Sequence, residues 1–231
     1  MKKRLKINGV IIFFAVLLVL KFPGVFFRNG QGGFAEEIAK VFGFSFILLG
    51  QLFRVSARGY KSENSQNGAS LIQGGPYNLV RNPMYLGILL IGLGVVLLLF
   101  QWWVSCVFLS IFVIRYILLI FQEEKKLESV FGKDYEKYKT MVPRLFPSPA
   151  CLAKKEIAEY LPLRLSWVKK ELNSIFPVLA AALVILSWED ISNSGLTIYF
   201  KELSALFLVA VLFFYLILYL GKKTAFPKKD A

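Results

Sequence analysis

Histidine is absent from this 231-residue sequence, and cysteine occurs only twice, as Cys106 and Cys151. The first absence excludes histidine-based acid–base catalysis, histidine metal ligands and a histidine pH switch. Two cysteines, one in an apolar stretch and one in a basic stretch, do not make a disulfide framework. We therefore expect neither a metal site nor a fold that depends on disulfides.

Acidic residues are also scarce, because 15 Asp and Glu stand against 28 Lys and Arg, for a net charge of +13. A basic soluble chain would suggest nucleic-acid binding. Here 56% of the residues are hydrophobic, above the roughly 45–50% of soluble domains, and they fall in blocks long enough to cross a bilayer. We expect a membrane-embedded protein without a nucleic-acid partner, whose basic residues gather in cytoplasmic loops.

The apolar blocks predict an all-α fold, a polytopic membrane bundle of about six transmembrane helices. The third block is free of charge and the fourth contains a single charged residue, Arg115. The first block follows a basic start but no small-residue cleavage site, which favours a retained helix over a signal peptide. The six blocks run at about 9–27, 39–55, 84–100, 103–121, 172–188 and 203–220.

The distribution of basic residues predicts that both termini are cytoplasmic. With the N-terminus inside, 23 of the 28 Lys and Arg fall in inside stretches and four fall outside or at outer helix ends. This asymmetry follows the positive-inside rule. We expect an integral protein of a prokaryotic cytoplasmic membrane, with the endoplasmic reticulum as the alternative. The oligomeric state is left open.

The third and fourth helices are joined by two residues, so they must form an antiparallel hairpin. An amphipathic pattern from Leu127 to Met141 follows the fourth helix and predicts a cytoplasmic helix lying at the membrane surface, with Gly132 as a break. We divide the chain into an N-terminal helix (1–33), a core (34–149), and a basic loop with an accessory helix pair (150–231).

Two polar stretches flank the hairpin on its predicted cytoplasmic side. The first runs from Gly75 to Gly87 and begins the third helix with Pro83, which suits a first-turn position. The free amides at such a helix start favour an anion such as a carboxylate. The second stretch begins with Glu123 and Glu124, a carboxylate pair at the membrane level that is costly unless a cation is present. A ligand with an ammonium, a carboxylate and a flat base would match this set.

The two stretches resemble the isoprenylcysteine carboxyl methyltransferase and phospholipid methyltransferase family of membrane enzymes. That family carries G-x-Y-x-x-x-R-H-P-x-Y-x-G before one helix, a Glu-Glu pair after the next, and F-G-x-x-Y-x-x-Y followed by V-P-R. This chain matches nearly every element between about residues 69 and 147. It departs at Asn82, where the family has histidine, and an asparagine cannot carry charge or move a proton.

The resemblance implies that S-adenosylmethionine binds between the two stretches, at the cytoplasmic end of the hairpin. Arg144 is a weaker candidate, with lipid phosphate as its alternative partner. The resemblance and the residues together suggest Arg81, Asn82 and Arg115 for catalysis or substrate contact. The residues implied in cofactor binding are Ala69, Ser70, Leu71, Ile72, Tyr77, Asn82, Pro83, Met84, Tyr85, Glu123 and Glu124.

These observations favour an S-adenosylmethionine-dependent methyltransferase whose acceptor is lipidated or amphipathic, such as a prenylcysteine carboxylate or a phospholipid amine. A membrane reductase that uses NADPH on sterol-like substrates is one alternative, and a non-catalytic membrane protein is another. Arg115 has three interpretations. It can extend toward the cytoplasm, anchor an acidic head group, or pair with the two glutamates.

Overall fold

The computed structural model describes residues 17–19, 21–28, 33–65, 70–148, 156–171, 180 and 196–225, and within this part of the chain the secondary structure is helical apart from one isolated bridge. The all-α prediction is therefore confirmed. The helices are α1 (Pro23–Phe26), α2 (Phe34–Asn64), α3 (Pro76–Leu79), α4 (Pro83–Leu99), α5 (Trp102–Phe131), α6 (Lys133–Met141), α7 (Ile157–Tyr160) and α8 (Leu196–Ala225).

Three of these helices are long and apolar enough to cross a bilayer, namely α2, α5 and the part of α8 from Leu203 to Lys222. Helix α4 is apolar but has only 17 residues, the lower end of the length that spans a bilayer. These four correspond to the second, third, fourth and sixth predicted segments. The fifth segment lies outside the described residues except at position 180, and so do residues 9–16 and 20 of the first segment.

Helix α2 is longer than the sequence indicated. The apolar block ends at Val55, and the residues that follow were predicted to be loop, but the helix continues to Asn64. The stretch from Ser56 to Asn64 contains no proline. Its glycine, Gly59, lies under the ring of Trp167, where a Cβ would meet ring atoms at 2.1 Å. Tertiary packing therefore supports a helical turn that hydrophobic patterning does not predict.

Helices α4 and α5 form the predicted hairpin. The two linking residues, Phe100 and Gln101, are held by the chain near α1, because Gln101 N donates to Phe26 O and Arg28 N donates to Leu99 O. Helix α5 continues past both glutamates to Phe131. Gly132 then takes a φ of +50°, a conformation that favours glycine, and α6 begins at the next residue.

Helices α2 and α4 contact each other along four glycines that we call the glycine seam: Gly43, Gly50, Gly87 and Gly94. A Cβ on Gly43 would lie 2.8 Å from Gly94 O, and a Cβ on Gly50 would lie 2.6 Å from Gly87 O. The reverse additions are equally close. Small residues permit this approach of two membrane helices. The two helices are therefore closely packed within one chain.

The C-terminal helix α8 packs against α2 and completes two apolar clusters. Leu220 belongs to a cluster with Leu52, Leu161 and Trp167, and Leu206 belongs to a second cluster with Phe44. The described part of the accessory region therefore shares its core with residues 34–149. The division of the chain into three parts stays a prediction.

Candidate active site

A cavity of about 150 Å³ lies at the end of the hairpin where the two motif stretches meet. Ligand pockets commonly enclose about 300–1,000 Å³, so this cavity can hold part of a cofactor-sized molecule. Its lining combines hydroxyl, guanidinium, amide and aromatic groups. The lining residues are Lys61, Ser65, Ser70, Leu71, Ile72, Tyr77, Arg81, Asn82, Leu127, Phe131, Tyr135 and Tyr138.

Helix α6 forms one wall of this cavity because of the turn at Gly132. Tyr135 and Tyr138 are buried in a cluster with Val142, against which Leu71 and Phe131 pack. The Tyr138 hydroxyl donates to Tyr77 O. The apolar side of the predicted amphipathic helix therefore faces the cavity wall. Tyr135 and Tyr138 therefore contact the protein itself, and the position of this helix at the membrane surface stays a prediction.

Glu124 is buried and bound by two arginines, in a group that we call the Glu124 cluster: Arg81, Glu124 and Arg144. Arg144 Nη2 lies 2.9 Å from Glu124 Oε2, and Arg81 Nη1 lies 3.4 Å from Glu124 Oε1. The Arg144 guanidinium also lies 4.4 Å from the centre of the Phe121 ring. Both arginines thus satisfy Glu124, which leaves this carboxylate without a free face for a ligand ammonium. Arg144 is occupied within the protein, whereas lipid phosphate was the expected alternative partner.

Arg81 has a hydrogen-bond donor that the Glu124 cluster does not use. Its Nε is buried and makes no hydrogen bond to the described residues, its Nη1 is engaged with Glu124, and the residue lines the cavity. Buried guanidinium donors are seldom left unpaired, and they match carboxylates and phosphates in shape and charge. Arg81 is therefore the residue of the cavity best suited to an anionic group.

Glu123 is on a different side of α5 from Glu124 and is exposed. It accepts a hydrogen bond of 2.8 Å from the Tyr85 hydroxyl. The ring of Tyr85 contacts Tyr116 edge to face, with 5.5 Å between ring centres. Glu123 is thus the accessible carboxylate of the pair.

Tyr77 connects the cavity to Glu123 electrostatically. Burial, followed by the nearby Glu123 carboxylate, raises the pKa of Tyr77 to about 12. Burial also raises the pKa of Tyr138. Both phenols consequently stay protonated at neutral pH, so they are hydrogen-bond donors and flat surfaces in the cavity wall and carry no negative charge.

Asn82 has a definite structural partner. Its Nδ2 donates to Arg144 O at 3.1 Å, and the neighbouring Arg81 N donates to Pro143 O at 2.8 Å. These two bonds fasten the start of α4 to the chain that leaves α6. Asn82 therefore positions the motif stretches against each other and also lines the cavity.

Several predicted site residues lie elsewhere. Ala69 lies outside the described residues. The predicted cofactor-binding residues that do not line the cavity are Pro83, Met84, Tyr85, Glu123 and Glu124. Arg115 is half-buried in α5 and makes no hydrogen bond or ion pair with a described residue. The suggested ion pair between Arg115 and either glutamate is therefore not formed.

Six lining residues were not predicted as site residues, namely Leu127, Phe131, Tyr135, Tyr138, Lys61 and Ser65. The first four lie in or beside the predicted amphipathic helix, whereas Lys61 and Ser65 belong to no predicted feature. These two lie on and just after the last turn of α2, in the stretch that was expected to be loop. The absence of proline from 56 to 64 was the available sign that the helix continues. Hydrophobic patterning alone does not indicate which side of such a polar extension meets a site.

Residues 31–134 match the family model of the phospholipid methyltransferases. The match covers α2, the hairpin, both glutamates and the first two residues of α6, and so confirms the family resemblance over a part of the chain that supplies every lining residue of the cavity except Tyr135 and Tyr138. A membrane methyltransferase is the function that this match supports. Among curated proteins and solved structures, none matches the chain.

Proposed function

We propose, from the match of residues 31–134 to the phospholipid methyltransferases, that this membrane protein is a methyltransferase that uses S-adenosylmethionine. The acceptor would be lipidated or amphipathic, such as a prenylcysteine carboxylate or a phospholipid amine. The observation that carries the cofactor assignment is the buried Arg81 Nε, which makes no hydrogen bond to the described residues and belongs to a guanidinium in the cavity wall.

The residues of the cavity fit the cofactor's chemical groups. Arg81 Nε would donate a charge-assisted hydrogen bond to its carboxylate. Tyr77, Tyr135 and Tyr138 offer flat faces for the adenine ring. Glu123 lies outside the cavity lining, and as the accessible carboxylate of the pair it would hold the ammonium. When bound, S-adenosylmethionine supplies a sulfonium-linked methyl group that a nucleophile takes in line, so the protein acts chiefly by positioning the two reactants.

The choice of methyl acceptor is constrained because Asn82 cannot act as a base. An asparagine holds a hydrogen bond but does not take a proton, and it already donates to Arg144 O. A carboxylate acceptor needs no base, whereas an ammonium acceptor must first lose a proton. Glu123 would be the nearest candidate for that proton. The apolar hairpin beside the cavity would let either acceptor approach from the bilayer.

The proposed site faces the cytoplasm. Support comes from the excess of Lys and Arg in the stretches on this side of the chain, and from the position of the cavity at the ends of α2, α4 and α5 that carry those stretches. S-adenosylmethionine is a water-soluble cofactor, so a site at this end of the helices would reach it without crossing the membrane.

The test is calorimetric titration of S-adenosylmethionine into the detergent-purified full chain, with Arg81→Gln and Arg144→Gln as matched variants. Each substitution removes one arginine from Glu124, but Arg81 alone lines the cavity. We expect saturable binding by the wild type and by Arg144→Gln. Arg81→Gln should bind about 10- to 100-fold more weakly, because a hydrogen bond to a charged group contributes about 1.5–3 kcal/mol.

Two outcomes would contradict the proposal. Absence of S-adenosylmethionine binding by a folded wild type would do so, and saturable binding of NADPH in its place would favour a reductase. Equal loss of binding in both arginine variants would instead show that the Glu124 cluster acts only on the fold, and that Arg81 does not contact the cofactor.

A further inference from the structure

A second cavity, of about 250 Å³, lies on the opposite face of α2, between this helix, the chain from Leu163 to Val168, and α8. It shares no lining residue with the cavity at the end of the hairpin. All of its lining residues are apolar except Gln51. They are Leu48, Gln51, Leu52, Val55, Leu163, Val168, Ala210, Phe213, Phe214 and Ile217.

Gln51 is the residue of this cavity that indicates a bound ligand. The residue is 3% exposed, and its Nε2 is buried without a hydrogen-bond partner among the described residues. Buried amide donors are nearly always satisfied. A water molecule would need two to four polar partners, and the other lining residues offer no polar side chain. We therefore expect the hydrogen-bond acceptor for Gln51 Nε2 to belong to a ligand that is otherwise apolar.

The depth of Gln51 indicates which acceptor this is. Ser56 donates to Pro162 O, and Arg58 pairs with Glu171 at 2.6 Å, so polar contacts to α2 begin at Ser56 and continue toward its C-terminal end. Gln51 precedes Ser56 by five residues, which places it about 8 Å further along the helix. The polar zone of a bilayer leaflet is about 5–8 Å thick. Gln51 thus lies near the level where acyl chains are esterified.

The cavity opens toward the surface that lipid would cover. Phe214 is a lining residue and is 61% exposed. It lies on α8, whose outer side also presents Phe207 and Leu212. An exposed apolar surface of this kind on a membrane-spanning helix is covered by acyl chains. A chain can therefore enter the cavity sideways, past Phe214.

We propose that this cavity binds one acyl chain of a membrane phospholipid, whose ester carbonyl accepts a hydrogen bond from Gln51 Nε2. The apolar lining contacts the chain, and the single amide sets its depth. This binding site is independent of the proposed methyltransferase reaction, because the residues that form it take no part in the cofactor cavity.

The experiment uses the full chain reconstituted in phosphatidylcholine vesicles with traces of phosphatidylcholine that carries a diazirine on its acyl chain. A second probe has the same chain joined by an ether bond, which removes the carbonyl. After irradiation, labelling is quantified by mass spectrometry at Phe213, inside the cavity, and at Phe207, on the exposed face. The wild type should label Phe213 about three- to ten-fold more with the ester probe, with no such preference at Phe207.

Two variants separate the hydrogen bond from the cavity. Gln51→Leu keeps the volume but removes the donor, so the ester preference at Phe213 should fall to about one. Ala210→Phe fills the cavity, so both probes should lose Phe213 and retain Phe207. The proposal is overturned if wild-type Phe213 is unlabelled, if ester and ether probes label it equally, or if Ala210→Phe labels as the wild type does. It is also overturned if only a free fatty acid probe enters.

Discussion

The glycine seam and the Glu124 cluster both fasten α4 to its surroundings, and they do so by opposite means. In the seam, four glycines bring two helix backbones together. In the cluster, a buried carboxylate joins two arginines from separate stretches of chain. The seam depends on the absence of a Cβ atom at each glycine. The cluster depends on buried charges, which are costly unless they are paired. The two regions should therefore respond differently to substitution.

The largest effect is expected from Glu124→Ala, which breaks the cluster. Arg81 would keep a buried guanidinium, 8% exposed, without its carboxylate. Removing one partner of a buried ion pair costs about 3–5 kcal/mol, and we expect a loss of this size in the free energy of unfolding, measured by denaturant titration in mixed micelles.

The matched control for that experiment is Glu128→Ala, four residues further along α5. Glu128 pairs with Lys139 at 3.2 Å, but both side chains are more than one-third exposed. Such pairs contribute about 0–1 kcal/mol. Equal losses in the two variants would mean that burial does not distinguish the two glutamates.

A smaller effect is expected from Gly50→Ala in the seam. The new Cβ would lie 2.6 Å from Gly87 O and 2.8 Å from Ile91 Cγ1, so the helices must shift apart. Overpacking of this kind costs about 1–3 kcal/mol. Gly221→Ala makes the same substitution in α8 with nothing within 4 Å. In the same titration the control should be neutral or stabilised, and a seam variant as stable as the control would show that the seam tolerates separation.

The smallest effect is the pH dependence contributed by Tyr77, which lines the cavity together with Arg81 of the Glu124 cluster. Its pKa of about 12 in the folded protein lies above the ordinary value of 10.0, so the unfolded chain loses this proton first as the pH rises. The stabilisation is complete below pH 10 and is lost as the pH approaches 12. It should fall by about 1 kcal/mol by pH 11.

Tyr77→Phe removes that contribution. Between pH 9 and pH 11, the stability of this variant should decline less than that of the wild type, as measured by thermal unfolding in detergent at each pH. Parallel profiles would show that the Tyr77 hydroxyl titrates alike in the folded and unfolded chains.

Much of the hairpin was predictable because its signals are local. The uncharged block that becomes α4, the short link to α5, Pro83 in the first turn and the break at Gly132 all act within a few residues of where they stand. Six of the predicted site residues, from Ser70 to Asn82, do line the cavity. The extension of α2 to Asn64 was missed because Trp167, about a hundred residues away, packs on Gly59.

The sequence by itself determined that the chain is a helical membrane protein, that α4 and α5 form a hairpin, and that two motif stretches meet at its end, since each follows from hydrophobic length or from short-range geometry. Only the tertiary structure decided which glutamate is accessible. Glu123 and Glu124 are neighbours in sequence but point about 100° apart around α5. That rotation directs Glu124 to the arginines of two returning segments and leaves Glu123 beside Tyr85.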